Sequence, residues 1–119
     1  MTFNATEPDL AHASTLLKAM GNHRRLHILS LLAVNERRVG ELEELVGLSQ
    51  SALSQHLARL RRDGLVKTRR QAQTIFYSLA GNDVRAILAA LDHVNYEAES
   101  MPPAAPPFST RPPLAAITR

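Results

Sequence analysis

Cysteine and tryptophan are absent from this chain, and three phenylalanines and two tyrosines are its only aromatic residues. Without a thiol there is no disulfide, no thiolate nucleophile and no cysteine-based zinc or redox centre in the chain as given. With so few rings the core has to be assembled from Leu, Ile, Val and Ala, which suits helices packed on helices. No apolar run approaches the roughly 18 residues that a membrane span needs. The opening segment, MTFNATEPDL, lacks the basic-then-apolar order of a secretory leader, so a cytoplasmic location is the expectation. None of the 5 glycines belongs to a loop of the kind that cradles a nucleotide phosphate.

What is present fits one small globular domain: 119 residues, 45% apolar and 21% charged. The net charge of +3 is modest, but its distribution is uneven. Arg59, Arg61, Arg62, Lys67, Arg69 and Arg70 crowd one stretch with Asp63 as its single acid, whereas Glu36, Glu41, Glu43 and Glu44 gather upstream. Such a run is either a solvated face or the footprint of a polyanion, and its surroundings have to decide between the two.

Pro8 and Asp9 open a helical stretch in which Leu10, Ala13, Leu16, Leu17 and Met20 recur at helical spacing, and Gly21 closes it. Asn22 is a good cap for a second helix that is apolar nearly all round (Leu26, Ile28, Leu29, Leu31, Leu32), which predicts a central position. Asn35, Glu36 and Arg37 read as a turn. A short helix follows from Val39 to Val46, stopped by Gly47, and Ser49 caps another from Gln50 to Arg62, closed by Asp63-Gly64. Two helices joined by a glycine-containing turn form a helix-turn-helix. The period then changes. Residues 65–70 and 74–79 are rich in β-branched and aromatic residues and predict a hairpin, connected through Gln71-Ala72-Gln73 without the usual Asn-Gly. Asn82 opens a last helix carrying Val84, Ile87, Leu88, Leu91 and Val94, to about Glu99. The expectation is therefore a mainly α fold with a small β-hairpin wing, in the order α-α-α-α-β-β-α of a winged helix-turn-helix. Residues 1–8 form an N-terminal arm, 9–99 the domain, and 100–119, with six of the seven prolines, a disordered tail.

On the helix from Gln50 to Arg62 the apolar stripe is Leu53, Leu57 and Leu60, with His56 beside it. The remaining face is small and hydrogen-bonding at its N-terminal end and cationic at its C-terminal end. Small residues let a helix sit deep in the major groove, and Gln can pair bidentately with adenine. Gln50, Ser51, Ser54 and Gln55 are accordingly the expected base contacts. Ser49, Arg59, Arg61 and Arg62 are expected at phosphates, together with Lys67, Arg69, Arg70, Gln71 and Gln73 of the hairpin. The plainer reading is that Ser49 merely caps, the glutamines merely solvate, and the charged strand merely discourages aggregation.

Several segments resemble the ArsR/SmtB family of winged helix repressors: Val39-Gly40-Glu41-Leu42, Leu48 through Leu57 (LSQSALSQHL), Leu60 through Val66 (LRRDGLV), Arg69-Arg70, and Gly21-Asn22 followed by Arg24-Arg25-Leu26. The resemblance spans roughly residues 10–95. The string from Arg70 to Ser78 is similar to the subgroup of persulfide-sensing and nodulation regulators. It implies a homodimer built from the first and last helices, with two recognition helices in successive major grooves of an imperfect palindrome. Leu10, Leu17, Leu88, Leu91 and Val94 are the interface candidates, unless they only cap a monomer's core.

The departures from that pattern matter as much. Metal-sensing relatives carry a cysteine cluster where this chain has Glu44-Leu45-Val46-Gly47. Asp92 and His93 are adjacent and point in different directions, and His12, His23, His27 and His56 are scattered, so no metal is expected. The resemblance places Ser30 where persulfide sensors carry a second-helix cysteine, and no sulfur lies near Tyr96. Either the usual switch is missing or Ser30 stands in for a cysteine. No nucleophile–base pair, metal spacing or cofactor motif supports an enzyme. The rivals to a DNA-binding regulator are a winged helix used for protein docking, which predicts an apolar or acidic outer face, and a regulator gated by an unidentified small molecule.

Overall fold

The computed structural model describes residues 6–100, with side chains through residue 98. Residues 101–119 of the proline-rich segment expected at 100–119, and residues 1–5 of the N-terminal arm, lie outside the described residues. The helices are α1 (Glu7–Met20), α2 (His23–Val34), α3 (Val39–Val46), α4 (Gln50–Arg62) and α5 (Asp83–Ser100). The strands are β1 (Arg37–Arg38), β2 (Val66–Gln71) and β3 (Thr74–Leu79), in one antiparallel sheet of order β1-β3-β2. This is a mainly helical winged helix-turn-helix.

Local chemistry sets most boundaries. Thr6 caps α1, two residues before the predicted opening, by accepting from the Asp9 N–H. The side chain of Asn22 accepts from the Arg24 and Arg25 N–H groups at 2.9 and 3.0 Å, satisfying two of the first-turn donors of α2. Gly47 ends α3 at a φ of +77°, in the left-handed region that glycine enters without a Cβ clash.

The structure corrects the sequence reading at two places. Arg37, expected in a turn, begins a two-residue strand with Arg38, whose partners are Tyr77 and Phe76 of β3. Two residues are too few to show a period. The pairing arises from the neighbouring strand rather than from a local signal. The hairpin connection is also shorter than expected: Gln71 pairs with Thr74, leaving Ala72 and Gln73 as the turn, and Ala72 takes a φ of +55°.

The core is aliphatic. Ile28, Leu29 and Leu32 of α2 meet Leu42 and Val46 of α3, Leu53, Leu57 and Leu60 of α4, and Leu65, Val66, Leu79 and Val84. The central position of α2 follows, although Arg25, not only its leucines, is buried on it.

Arginines close several helix C-termini. Arg25 donates to the Ala19 and Lys18 carbonyls at the end of α1, at 2.6 and 3.3 Å. Arg24 donates to the Val46 carbonyl at the end of α3, and Arg37 and Arg85 to the Leu31 and Ala33 carbonyls in the last turn of α2. A cation there both satisfies an orphan carbonyl and complements the negative end of the helix dipole. These four arginines serve the fold, and they narrow the set of cations free to meet a polyanion.

Candidate nucleic-acid interface

The helix-turn-helix consists of α3, the Gly47–Ser49 turn and α4. Ser49 accepts from the Ala52 N–H at 3.2 Å, so its cap is real. Accepting that bond leaves the hydroxyl hydrogen available to donate, so capping and phosphate contact are compatible.

Along α4, Leu53, Leu57 and Leu60 are buried, and Gln50, Ser51, Ser54, Gln55, Ala58, Arg61 and Arg62 are exposed. Ser51, Gln55, Ala58 and Arg62 follow one another at three- and four-residue steps, a single line opposite the leucine stripe. Ser54 lies off that line. It borders a groove between α4 and the sheet, lined also by Val39, Ala58, Arg61, Arg62 and Tyr77. The four expected base contacts are thus all exposed, with Ser51 and Gln55 most directly outward.

The expected phosphate contacts differ in their freedom. Arg59 pairs with Asp63 at 3.4 Å and is half-buried, and Arg62 reaches the same carboxylate at 3.4 Å but remains largely exposed. Lys67 and Arg70 are exposed and make no ion pair among the described residues. Gln71 precedes the exposed turn of the hairpin and Gln73 lies in it. Arg69 is engaged. Its guanidinium holds Glu36 at 2.6 Å, donates to Gln71 at 3.0 Å, and lies 4.5 Å over the Phe76 ring. The hydrogen bond from Arg69 holds the Glu36 carboxyl below its ordinary pKa.

One cation was missed as a candidate: Arg38 is exposed at the sheet edge, and its place was hidden because the strand that carries it was not foreseen. Arg61, expected at phosphates with Arg59 and Arg62, is exposed and borders the groove beside Ser54.

Away from the helix-turn-helix in sequence, Leu10 (43% exposed) and Leu17 (58%) of α1 and Leu91 (39%) and Val94 (57%) of α5 present apolar surface to solvent. Leu88 differs from these four, since it packs against the buried core. His12 and Asp83 join α1 to α5 at 3.0 Å beside a cleft of about 180 Å³ lined by Leu16, Leu65 and Val84. That volume is below the roughly 300 Å³ of ordinary ligand pockets. His56, on the α2 side of α4, has its pKa lowered by burial first and then by the charges of Arg25 and Arg24. Among the described residues no three His, Asp or Glu side chains gather as metal ligands, and no helix is long and apolar enough to cross a membrane.

Residues 22–68, from the cap of α2 into β2, match the bacterial regulatory protein, arsR family. The transcriptional activator HlyU of Vibrio cholerae is 53% identical over 98 residues, 82% of this chain and 91% of that protein. The chain belongs to the ArsR family. The nodulation protein NolR of Rhizobium meliloti is 52% identical over 72% of this chain and 70% of its own. The solved HlyU structure superimposes with a TM-score of 0.71 at 56% identity, covering 75% of this chain and 97% of that one. The homodimeric winged helix-turn-helix DNA-binding domain Mb0332 of Mycobacterium bovis gives a TM-score of 0.73 at 30% identity, covering 89% and 100%. This ArsR-family protein is a DNA-binding transcriptional regulator, and its family is not one of enzymes.

Proposed function

We propose that the protein is a homodimeric repressor that binds an imperfect DNA palindrome, each protomer placing α4 in one of two successive major grooves. The observation that carries this reading is the exposed line Ser51–Gln55–Ala58–Arg62, opposite the buried leucines and followed along the chain by a hairpin whose cations Lys67, Arg69 and Arg70 are exposed. Gln50, Ser51, Ser54 and Gln55 read base edges, since the N-terminal part of a recognition helix is the part that enters the groove. Ser49, Arg59, Arg62, Lys67, Arg70, Gln71 and Gln73 hold phosphates, and Arg69 joins them where its pairing with Glu36 is exchanged for one. The outer face of α4 is neither apolar nor acidic, as a protein-docking module would require.

Dimerisation is supported by the exposed apolar residues of α1 and α5 and by the homodimeric Mb0332 domain of the same fold. Leu10, Leu17, Leu91 and Val94 form the contact, with Leu88 supporting it from the core side. Pairing is what gives two short recognition helices enough affinity and fixes the spacing of half-sites at one helical turn. The protein acts in the cytoplasm without a metal or cofactor. Relatives carry both signs, HlyU of Vibrio cholerae being a transcriptional activator and a relative from Agrobacterium fabrum a biofilm growth-associated repressor. The test is a titration of genomic fragments against random duplex with the stoichiometry measured. Two protomers per selected site support the reading, and equal binding to random DNA contradicts it.

A further inference from the structure

The three strands carry Arg37, Arg38, Lys67, Arg69 and Arg70 and no carboxylate. The register places Arg38, Phe76 and Arg69 side by side across the sheet, so their side chains share one face. Onto that face reaches Glu36, the residue two before Arg38. Its two carboxylate oxygens each lie 3.1 Å from the Nε of Arg69, and one lies 2.6 Å from a terminal nitrogen. The other terminal nitrogen donates to Gln71 at 3.0 Å, and Phe76 supports the guanidinium plane from below at 4.5 Å. Arg69 is therefore the one hairpin cation held from several sides, while Lys67 and Arg70 are not.

A free cation on a wing adds a phosphate contact in every register on every duplex, and strengthens binding to random sequence as much as to a chosen one. Exchanging Glu36 for a phosphate trades one anion for another. It is favourable only where a phosphate oxygen arrives where the guanidinium, held between Gln71 and Phe76, can meet it. A loosely seated wing does not bring one there.

We propose that Glu36 is a specificity-determining residue: its carboxylate keeps Arg69 from phosphate on indiscriminately bound duplex and yields it where the wing is seated in register. This rests on the reading that the hairpin approaches DNA. It assigns to an acid outside the helix-turn-helix a part in discrimination that no feature of α4 supplies.

The test compares wild type, Glu36→Gln, Arg69→Ala and the double variant, measuring the salt dependence of affinity for random duplex and for a genomic fragment that the wild type selects. Far-ultraviolet circular dichroism and a denaturation midpoint establish that each variant is folded. Glu36→Gln should steepen the random-duplex salt slope by about 0.9, the increment of one phosphate contact, and lower selectivity roughly threefold or more. In the Arg69→Ala background the same change should leave the slope unaltered. Arg69→Ala alone should reduce the slope on the selected fragment and not on random duplex. The inference is overturned if Glu36→Gln acts equally in both backgrounds, because its charge would then act only through the long-range field. It is also overturned if the change weakens both complexes, because Glu36 would then be a strut for the hairpin. A wild type with no selective binding overturns the DNA-contact reading and this inference with it. A selective wild type with variants indistinguishable from it overturns this inference alone.

Discussion

Arg25 of α2 donates from its Nε to the Ala19 carbonyl of α1 across 2.6 Å, with only 8% of the residue exposed. That bond ties α1, which carries the exposed Leu10 and Leu17, to the helix at the centre of the core. The charges of Arg59 and Asp63 also act on Arg25, so the end of α1, the middle of the domain and the end of α4 converge there. Arg25→Met keeps much of the volume and removes the donors. It should lower unfolding stability by about 1–3 kcal/mol, the cost of leaving the buried Ala19 carbonyl without this donor. Urea denaturation checks this, and an unchanged midpoint would show that water replaces the guanidinium.

The recognition helix should separate choice of sequence from strength of binding. Gln55→Ala, or the weaker Ser54→Ala, should remove about 1–3 kcal/mol of discrimination at one base position. Arg62→Ala and Lys67→Ala should instead weaken binding to all duplexes and flatten the salt slope by about 0.9 each. Competition binding with single-base operator variants distinguishes the two classes. Equal losses on specific and random DNA for Gln55→Ala would sink its assignment to a base edge.

The exposed apolar side chains of Leu17, Leu91 and Val94 predict that a charge placed there opposes pairing. Leu91→Asp should shift sedimentation from dimer to monomer while far-ultraviolet circular dichroism stays unchanged, since Leu91 lies outside the buried core. DNA affinity should fall with it. A dimer that survives Leu17→Asp and Leu91→Asp together would move the interface elsewhere.

His56 gives a pH dependence of stability with a definite sign. Burial, then Arg25 and Arg24, lowers its folded-state pKa below the ordinary 6.5. Between that lowered value and 6.5 the unfolded chain binds more protons than the folded one, so this group's contribution to stability rises with pH across the window and is complete above it. Denaturation midpoints of wild type and His56→Gln should therefore converge in slope above pH 7 and diverge below 6.5. Parallel curves would contradict the desolvated placement.

The hairpin turn contains a correctable strain. Ala72 holds a φ of +55°, where a Cβ is disfavoured and glycine is not. Ala72→Gly should raise stability by about 0.5–1 kcal/mol, read from the thermal midpoint.

Much of this was legible before any coordinates. The helical period of α1 and α5, the capping residues Asn22 and Ser49, the left-handed Gly47, and the opposition of leucines to Gln, Ser and Arg on α4 are all local signals, and each survives in the structure. What escaped is non-local. Strand β1 exists because β3 lies beside it, Arg25 is buried because α1 ends above it, and Arg69 is held because Glu36, 33 positions earlier, is folded onto the same sheet face. Sequence spacing marks which residues share a face of one element. It does not show which cations the fold itself will use, and four of the arginines are used in that way.

The central claim is selective, dimeric binding to duplex DNA through α4 and the hairpin. The direct measurement titrates fragments containing the protein's own promoter at two salt concentrations, against random competitor duplex, with stoichiometry read by sedimentation. The expected result is a preferred fragment, two copies of the chain per site, and affinity that falls steeply as salt rises. Binding that shows no preference over random duplex, or one protomer per site, would contradict it.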